Sequence, residues 1–504
     1  MARLIPPSNG VTVRMYRQGH GDCFLLALPR EGGGAPYYVL IDCGVKPGSQ
    51  AFLDHKAPIG DIVKHVHDAC GGKLDLVILT HEHQDHLNGI WKEKDPYFKD
   101  FKIDEAWLAW TEDPDNALAN ELRRRHRDQL LGLLAARREL ELAAGENDPA
   151  VHRLDALLAM ELGGDAERPD TTKLLAAAND PKQSINKKGL KLVKDKASEK
   201  RGCRYLSPGG GAVAIEGTEG IRAFILGPPE SAELIVDEDP KGEEGFPRDH
   251  SFSFSEAASL PKGHRASPFS RRFCISADEA LDGSKEYFVK RYGSADQGTS
   301  DADQAEVTSN PPWRRIDNEW LYAAETMALK LNTGINNTSL VVAIELPRSK
   351  KILFFSGDAQ RGNWISWKNV EWKDGAKTVT TRELLSRTVL YKVGHHGSHN
   401  ATLAGQVSDD HPNLSWMALG PYAAEFTAMI TAVNEWALKK NNPPWVHPLP
   451  SIKLALLSKS RGRLFQTDEN RPQKPENVSA AEWKKFKDRA KFEDLYFDLR
   501  IHDE

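Results

Sequence analysis

The sequence predicts a layered α/β sandwich, in which helical and irregular segments separate two strand-rich halves. Residues 74–80, "LDLVILT", are apolar at nearly every position, which is typical of an inner strand covered on both faces. Residues 339–358, "SLVVAIELPRSKKILFFSGD", contain two apolar stretches joined by a turn and predict a hairpin. Between these halves, apolar residues recur at helical spacing from 113 to 200.

The N-terminal half begins with strands and turns. Residues 11–18, "VTVRMYRQ", alternate with period two, as a half-buried strand does. Gly19 and Gly21 mark a turn before the apolar stretch "CFLLALP", and residues 37–44, "YYVLIDCG", predict a further strand. We expect a helix at roughly 50–70, directly before the inner strand at 74–80.

Two insertions interrupt the predicted sandwich, which we interpret as a single domain over residues 1–504. Residues 113–200 form a helical insertion that ends in the lysine-rich stretch "NKKGLKLVKDKASEKRGCR". Residues 230–329 are rich in Ser, Gly, Pro and charge, which predicts an irregular surface insertion. Residues 401–504 are the C-terminal part of the sandwich, with three further strands predicted at "SIKLALLS", "GRLFQTD" and "LYFDLRI".

The composition indicates a globular protein without a membrane segment. The 504 residues are 40% hydrophobic and 28% charged, with a formal net charge of -5. This excludes a protein coated in positive charge, so a nucleic-acid contact must use local basic patches such as 187–204. No stretch approaches the roughly 18 apolar residues of a membrane span, and no signal peptide is recognisable at the N-terminus. We therefore expect a cytoplasmic protein with reduced thiols, because its five cysteines form no C-x-x-C pair.

Four residues with metal-binding side chains follow the inner strand. "LTHEHQDH" places His81, His83, Asp85 and His86 directly behind it. The H-x-H spacing puts two imidazoles on the same side of an extended backbone, while Asp85 and His86 continue into a turn and can face a second ion. Zinc accepts imidazole nitrogen and carboxylate oxygen at about 2.0–2.2 Å, so these short spacings predict a zinc site.

This pattern resembles the H-x-H-x-D-H motif of the metallo-β-lactamase fold. The segments "GDCFLLALP", "YYVLIDCG", "INNTSLVVAIEL", "FFSGDA" and "KVGHHGS" are together similar to the metallo-hydrolase domain of ComEC-type DNA-uptake proteins and its stand-alone relatives. The matching segments lie in residues 11–111, 203–229 and 330–470. The resemblance implies an αββα sandwich of two facing sheets with helices outside. It also implies two divalent metal ions, zinc or alternatively manganese, with single-metal occupancy left open.

The resemblance extends to further residues at other strand ends. Asp358 in "FFSGDA" stands where the family has its bridging aspartate. The last family histidine corresponds to His395 or His396 in "KVGHHGS". We prefer His395 as the ligand, with His396, Ser398 and His399 as residues that contact the substrate. Asp85 and Asp358 are the candidate catalytic residues, because either carboxylate can orient a metal-activated hydroxide.

One family position departs from the pattern. Many members carry a histidine after the strand that here ends in "RAFILGPPE", but Pro228 and Pro229 stand there instead. His250 is a weak candidate to replace it, and the position centred on His81 and His83 is then open. We also expect Asp42, in "LIDCG", to hold the metal-binding loops by hydrogen bonds.

Three hypotheses about function remain open from the sequence. The first is a phosphodiesterase or nuclease that acts on DNA through a metal-activated hydroxide. The second is a hydrolase of a small ester, lactone or other phosphoester, because one fold hosts many chemistries. The third is a non-catalytic partner module of a multi-protein defence or DNA-processing system, docked through the helical insertion. The arginines of that insertion are interpreted as a solvated face, with nucleic-acid contact as the alternative; they are Arg123, Arg124, Arg125 and Arg127.

Overall fold

The computed structural model describes residues 3–92, 95–146, 148–163, 184–247, 331, 334–440 and 444–504. Two compact units divide the chain, Met1–Phe246 with Ala324–Glu504 and Pro247–Ala323. All described residues except Pro247 belong to the first unit. The predicted irregular insertion from residue 248 onward, with the candidate ligand His250, therefore lies outside the described residues.

Eight strands form the first sheet, in the order β19-β20-β1-β2-β3-β5-β7-β8. The strands of this sheet are β1 Gly10–Tyr16, β2 Cys23–Leu28, β3 Tyr37–Cys43, β5 Leu76–Ile78, β7 Glu105–Ala109, β8 Gly202–Leu206, β19 Ala490–Phe492 and β20 Tyr496–His502. The pairs β3–β5, β5–β7 and β7–β8 are parallel, whereas the pairs from β19 to β3 are antiparallel.

Seven strands form the second sheet, in the order β10-β11-β12-β13-β16-β17-β18. These are β10 Val213–Ala214, β11 Arg222–Gly227, β12 Val341–Glu345, β13 Ile352–Phe355, β16 Thr388–Lys392, β17 Thr427–Ile430 and β18 Leu464–Gln466. The strands from β13 to β18 are parallel. Two small sheets contain β4 Lys73–Leu74 with β6 Lys102–Ile103, and β9 Gly210–Gly211 with β14 Glu371–Asp374 and β15 Lys377–Thr380.

Helices occupy the connections between the strands. They are α1 Ile59–Cys70, α2 Gln84–Leu87, α3 Ala117–Ala144, α4 Pro149–Leu162, α5 Ile185–Ser198, α6 Ala232–Ile235, α7 Arg361–Ser366, α8 Thr381–Ser386, α9 Asn434–Lys440, α10 Pro450–Lys459 and α11 Ala480–Arg489. Asn116 caps α3 and Ser184 caps α5, each by a side-chain oxygen that accepts from a backbone N–H of the first turn. None of the helices among the described residues combines the length and the apolar character that a membrane crossing needs.

The two large sheets face each other across one apolar core. Val13 and Leu26 of the first sheet and Ile344 and Leu353 of the second belong to the same buried cluster. A second cluster lies between the first sheet and helices α1 and α5, and a third between the second sheet and α7, α8 and α10. Each sheet therefore has apolar side chains on both faces, and the observed architecture is a mixed α/β fold in layers.

The predicted inner strand and hairpin are present. β5 is fully buried between β3 and β7, as the continuous apolar run at 74–80 predicts. β12 and β13 pair in antiparallel register, with Val342 opposite Phe355. Both patterns are local, so the sequence alone specified them.

Two strand predictions were wrong in detail. The segment "SIKLALLS" is helix α10, because Pro450 favours the first helical position and Ile452 and Leu456 bury one face at a spacing of four. β1 is buried on both faces instead of half-buried. Its charged residue Arg14 is buried because it donates two hydrogen bonds to Asp498 of the neighbouring strand β20, at 2.7 and 2.8 Å.

The core between the sheets predicts a large effect of truncation at Leu353, which is fully buried. We expect Leu353→Ala to lower the free energy of unfolding by about 2–5 kcal/mol, measured by urea denaturation. The matched change Leu454→Ala, at a side chain that is 66% exposed, should cost less than about 0.5 kcal/mol. Equal effects of the two changes would contradict the packing of the sheets described here.

Candidate metal centre

The predicted ligand segments lie at one edge of the two sheets. The motif at 81–86 follows β5, Asp358 follows β13 and His396 follows β16. β13 and β16 are parallel neighbours, so their carboxyl ends point the same way. Ligands in sheets of this kind bind beyond the carboxyl ends of the strands. The arrangement brings together residues more than 300 positions apart in the chain.

Four buried side chains converge in one group that could hold a metal ion: Asp85, His86, Asp358 and His396. One ligand atom from each lies within 4.8 Å of all the others. His396 Nε2 is 3.0 Å from Asp85 Oδ2 and 3.5 Å from Asp358 Oδ2. His86 Nε2 lies 3.2 Å from Asp358 Oδ2. Two imidazole nitrogens and two carboxylate oxygens are a donor set that suits zinc.

Unpartnered polar atoms support the fit of a cation to this group. Among the described residues, His86 Nε2 and Asp358 Oδ2 are buried without a hydrogen-bond partner, and Asp85 Oδ1 makes no hydrogen bond but faces the Lys46 ammonium at 3.3 Å. A buried polar atom left without a partner costs about 1–3 kcal/mol, and more when it is charged. A cation among these atoms would satisfy them, so the residues present fit a metal ion.

His81 and His83 lie beside this group with their ring nitrogens facing each other. His81 Nε2 is 3.0 Å from His83 Nδ1 and 3.9 Å from Asp358 Oδ2. On its other side, His81 Nδ1 is 3.1 Å from Thr80 Oγ1 and 3.3 Å from Ser339 Oγ. The structure thus brings all four residues of the predicted motif and Asp358 into one buried region.

The structure places His396, and not the preferred His395, among the converging ligand atoms. Both histidines have left-handed backbones, with φ of 40° at His395 and 54° at His396. Such strain in non-glycine residues is characteristic of functional sites. The turn directs His396 into the group, whereas His395 Nδ1 lies 2.9 Å from Ser398 Oγ and 3.2 Å from Gln360 Nε2. The sequence could not choose within the pair because the choice depends on this backbone geometry.

The two other predicted substrate contacts lie around His395 and at the surface. Ser398 is buried and its Oγ also donates to Asn400 Oδ1. His399 is partly exposed, and its Nε2 lies 2.8 Å from Asp239 Oδ1. Neither residue belongs to the group of converging ligand atoms.

Asp42 makes hydrogen bonds to the metal-binding loop, as predicted from the sequence. Its Oδ1 accepts from the Thr80 backbone N–H at 2.8 Å, and its Oδ2 lies 2.7 Å from His86 Nδ1. The carboxylate therefore turns His86 Nε2 toward the ligand group. Asp42 can adopt this position with a left-handed backbone, φ 53°, directly at the end of β3.

Two buried lysines and a buried aspartate lie next to the ligand group, and none of the three was predicted from the sequence. Lys392 Nζ lies 2.5 Å from Asp22 Oδ2 and 3.4 Å from Asp358 Oδ1, while Lys46 Nζ lies 3.3 Å from Asp85 Oδ1. Asp22, Asp42 and His86 form a second group of ligand-type atoms. The Lys392 ammonium already supplies a positive charge there, so we interpret that group as support. Lys392 stands inside the otherwise apolar strand "TVLYKV", and this placement was the signal in the sequence that could have identified Lys392.

The charges of the centre balance one another in a buried environment. Burial would raise the pKa of Asp358, but His86, His396 and Lys392 hold it well below its ordinary value. Burial would lower the pKa of His86, but Asp358, Asp42 and Asp22 raise it well above 6.5. The pKa of His81 is well below 6.5 because burial and the neighbouring histidines disfavour its charged form. His81 is therefore neutral at pH 7, as a metal ligand must be.

Close backbone packing positions the loop at 81–86. A Cβ atom added to Gly44 would stand 2.4 Å from both the carbonyl carbon of Asp85 and the nitrogen of His86. Gly357 precedes Asp358 with φ 54°, and a Cβ there would stand 3.0 Å from Thr80 Cβ and Ser339 Cβ. Only glycine permits these approaches, which bring the two ligand loops together.

A cavity of about 790 Å³ borders the predicted motif at Glu82, and the four converging ligands are not part of its lining. Its lining includes Glu82 of the metal motif, Glu161 of α4, and the arginines of α3 that were interpreted as a solvated face. The helical segment at 113–200 therefore forms a wall of this cavity.

Comparisons of the chain with protein-family models, with curated proteins and with solved structures found no match.

The choice between the two adjacent histidines predicts unequal effects on metal binding. His396→Ala should weaken zinc binding more than about 100-fold, because changes to residues behind a ligand already cost 10–100-fold at other sites. His395→Ala, the matched control, should change the affinity less than about 3-fold since its ring lies outside the ligand group. Competition with a chromogenic chelator measures both affinities, and a larger loss in His395→Ala would reverse the assignment.

The raised pKa of His86 predicts that metal binding releases a proton. His86 is protonated at pH 7 in the ion-free protein, and a metal ligand must be neutral, so about one proton leaves per ion bound. Affinity should consequently fall as the pH is lowered from 8 to 6. Calorimetric titration in two buffers of different ionisation enthalpy measures the proton, and identical heats in both would contradict the prediction.

Proposed function

We propose that this chain is a metal-dependent hydrolase of the metallo-β-lactamase type, acting as a phosphodiesterase or nuclease on DNA. The observation that carries the proposal is the convergence of Asp85, His86, Asp358 and His396 from three distant segments, with His86 Nε2 and Asp358 Oδ2 buried without a hydrogen-bond partner among the described residues. The two facing sheets with helices on their outer faces support the αββα sandwich that the motifs imply. No separate side-chain nucleophile is required for this chemistry.

The donor set favours zinc, with manganese as the alternative. A divalent ion held by these four residues would supply Lewis acidity and would lower the pKa of a water toward about 7. One ion fits the group of four. The resemblance implies a second ion at His81 and His83, and His81 Nε2 lies 3.9 Å from Asp358 Oδ2. Asp42 orients His86, and Lys392 keeps Asp358 ionised.

Substrate groups would meet the centre through the adjoining cavity. Arg124 and Arg127 are exposed on the α3 wall of this cavity and present positive charge toward a phosphate backbone. Lys187 of the basic stretch also lines the cavity but is paired with Glu82. The exposed arginines on this wall support a polyanionic substrate in a chain whose net charge is negative.

A specific observation favours a second candidate, the hydrolase of a small ester or phosphoester. The volume of about 790 Å³ falls within the range of about 300–1,000 Å³ found for small-molecule pockets. Apolar side chains such as Leu122, Leu130 and Ile235 contribute to its lining. The two candidates share the metal centre and differ in what the cavity accepts.

The decisive experiment incubates the zinc-loaded protein with linear and circular DNA, single-stranded DNA, RNA and a chromogenic bis-phosphodiester. We expect cleavage of DNA that Asp85→Asn lowers more than about 100-fold, because a ligand is lost. Asp100→Asn, at an exposed carboxylate, is the matched control. The DNA-cleavage rate should fall steeply with salt, since phosphate contacts release counterions.

A second pair of variants separates the two substrate classes. Arg124→Ala with Arg127→Ala should weaken DNA cleavage and reduce its salt dependence, leaving the small phosphodiester unaffected. Arg471→Ala with Arg500→Ala, outside the cavity lining, is the control. Cleavage of the small ester without degradation of any polynucleotide would favour the second candidate. Inactivity on every substrate despite metal loading would favour a non-catalytic partner module.

A further inference from the structure

The helical segment at 113–200 delivers a buried carboxylate to the metal motif. Glu161, in the last turn of α4, places Oε1 3.2 Å from His83 Nε2. The side chains are 4% and 0% exposed. A carboxylate is excluded from water only at a considerable cost unless it is paired, so this contact is a strong constraint on both groups.

The three helices described in this segment, α3, α4 and α5, hold this carboxylate in place. His126 of α3 places Nε2 3.1 Å from Glu161 Oε2. Asn186 of α5 donates from Nδ2 to the backbone carbonyls of Met160 and Glu161, at 3.0 and 3.1 Å. Ser184, which caps α5, donates to the carbonyl of Leu162. The end of α4 is thus fixed from both sides, and Glu161 has little freedom to leave His83.

The two ring nitrogens of His83 consequently face different groups. Nδ1 faces His81 Nε2 at 3.0 Å, whereas Nε2 faces Glu161. A carboxylate accepts hydrogen bonds only, so His83 must carry its proton on Nε2. The lone pair of Nδ1 then points toward His81 Nε2, which in turn lies 3.9 Å from Asp358 Oδ2.

We propose that Glu161 is a positioning residue, which fixes the tautomer of His83 and so creates the metal position that His81 and His83 share. This inference rests on the proposed metal-dependent function. Under this proposal, the helical segment at 113–200 helps to position a metal-binding histidine, in addition to any docking of a partner.

Cobalt titration of the full chain tests the proposal, because its visible absorbance reports each ion that binds. We expect two steps, a tight one at Asp85, His86, Asp358 and His396 and a weaker one at His81 and His83. Glu161→Ala should weaken the second step about 10–100-fold and change the first less than about 2-fold. Glu161→Gln keeps an acceptor oxygen and should recover part of the loss. Glu139→Ala, at an exposed residue of α3, is the matched control.

Histidine nitrogen spectra of the ion-free protein give a readout that needs no metal. We expect the signals of His83, identified by their loss in His83→Gln, to show a proton on Nε2 and to become a tautomer mixture in Glu161→Ala. His126→Ala should shift them in the same direction by a smaller amount, since one partner of Glu161 is lost.

The outcomes distinguish this proposal from the proposed function. An unchanged second step in Glu161→Ala would overturn the positioning role, as would an equal loss in both steps together with a lower melting temperature. A wild-type protein that binds a single ion and hydrolyses DNA would overturn it while the proposed function stands. Two binding steps with the expected spectra but no hydrolysis would leave the positioning role intact and remove the proposed function.

Discussion

The burial of four carboxylates at one edge of the two sheets is the constraint on which the centre depends. Asp22, Asp42, Asp85 and Asp358 are at most 2% exposed. Each must find positive charge or hydrogen bonds, because an isolated buried charge is prohibitively costly. The ammonium groups of Lys46 and Lys392 pair with some of the carboxylate oxygens. Nitrogen atoms of His86 and His396 face others. Among the described residues, Asp358 Oδ2 and His86 Nε2 still lack hydrogen-bond partners, which a divalent cation would satisfy.

Charge pairing links the two groups of ligand-type atoms, which share His86. Lys392 stands between Asp22 of one group and Asp358 of the other. In the group of four, Asp85 and Asp358 each face an ammonium through one oxygen, at 3.3 and 3.4 Å, and a histidine nitrogen through the other. Buried charges that are paired in this way constrain orientation more than they add stability. We therefore regard Lys392, held by Asp22, as a support that acts with His86 and His396 to keep Asp358 ionised.

The helical segment at 113–200 connects the centre to its surroundings. It forms one wall of the cavity, and its α4 places Glu161 on His83. A single inserted element thus contributes both to the space that a substrate would fill and to the orientation of a metal-motif histidine. This coupling follows from burial: a helix packed against the motif must satisfy the polar groups it covers.

The sequence alone determined which residue types lie at the centre and which strands carry them, because "HEHQDH", "FFSGDA" and the continuous apolar runs are local patterns. It also specified the layered α/β class. It misassigned "SIKLALLS", since a short apolar run fits a helix and a strand equally well. Only the tertiary structure decided which of His395 and His396 joins the ligand group and showed the contacts of Lys392 and Glu161. Those choices depend on left-handed backbone turns and on contacts between residues far apart in the chain, which the spacing of residues along it does not encode.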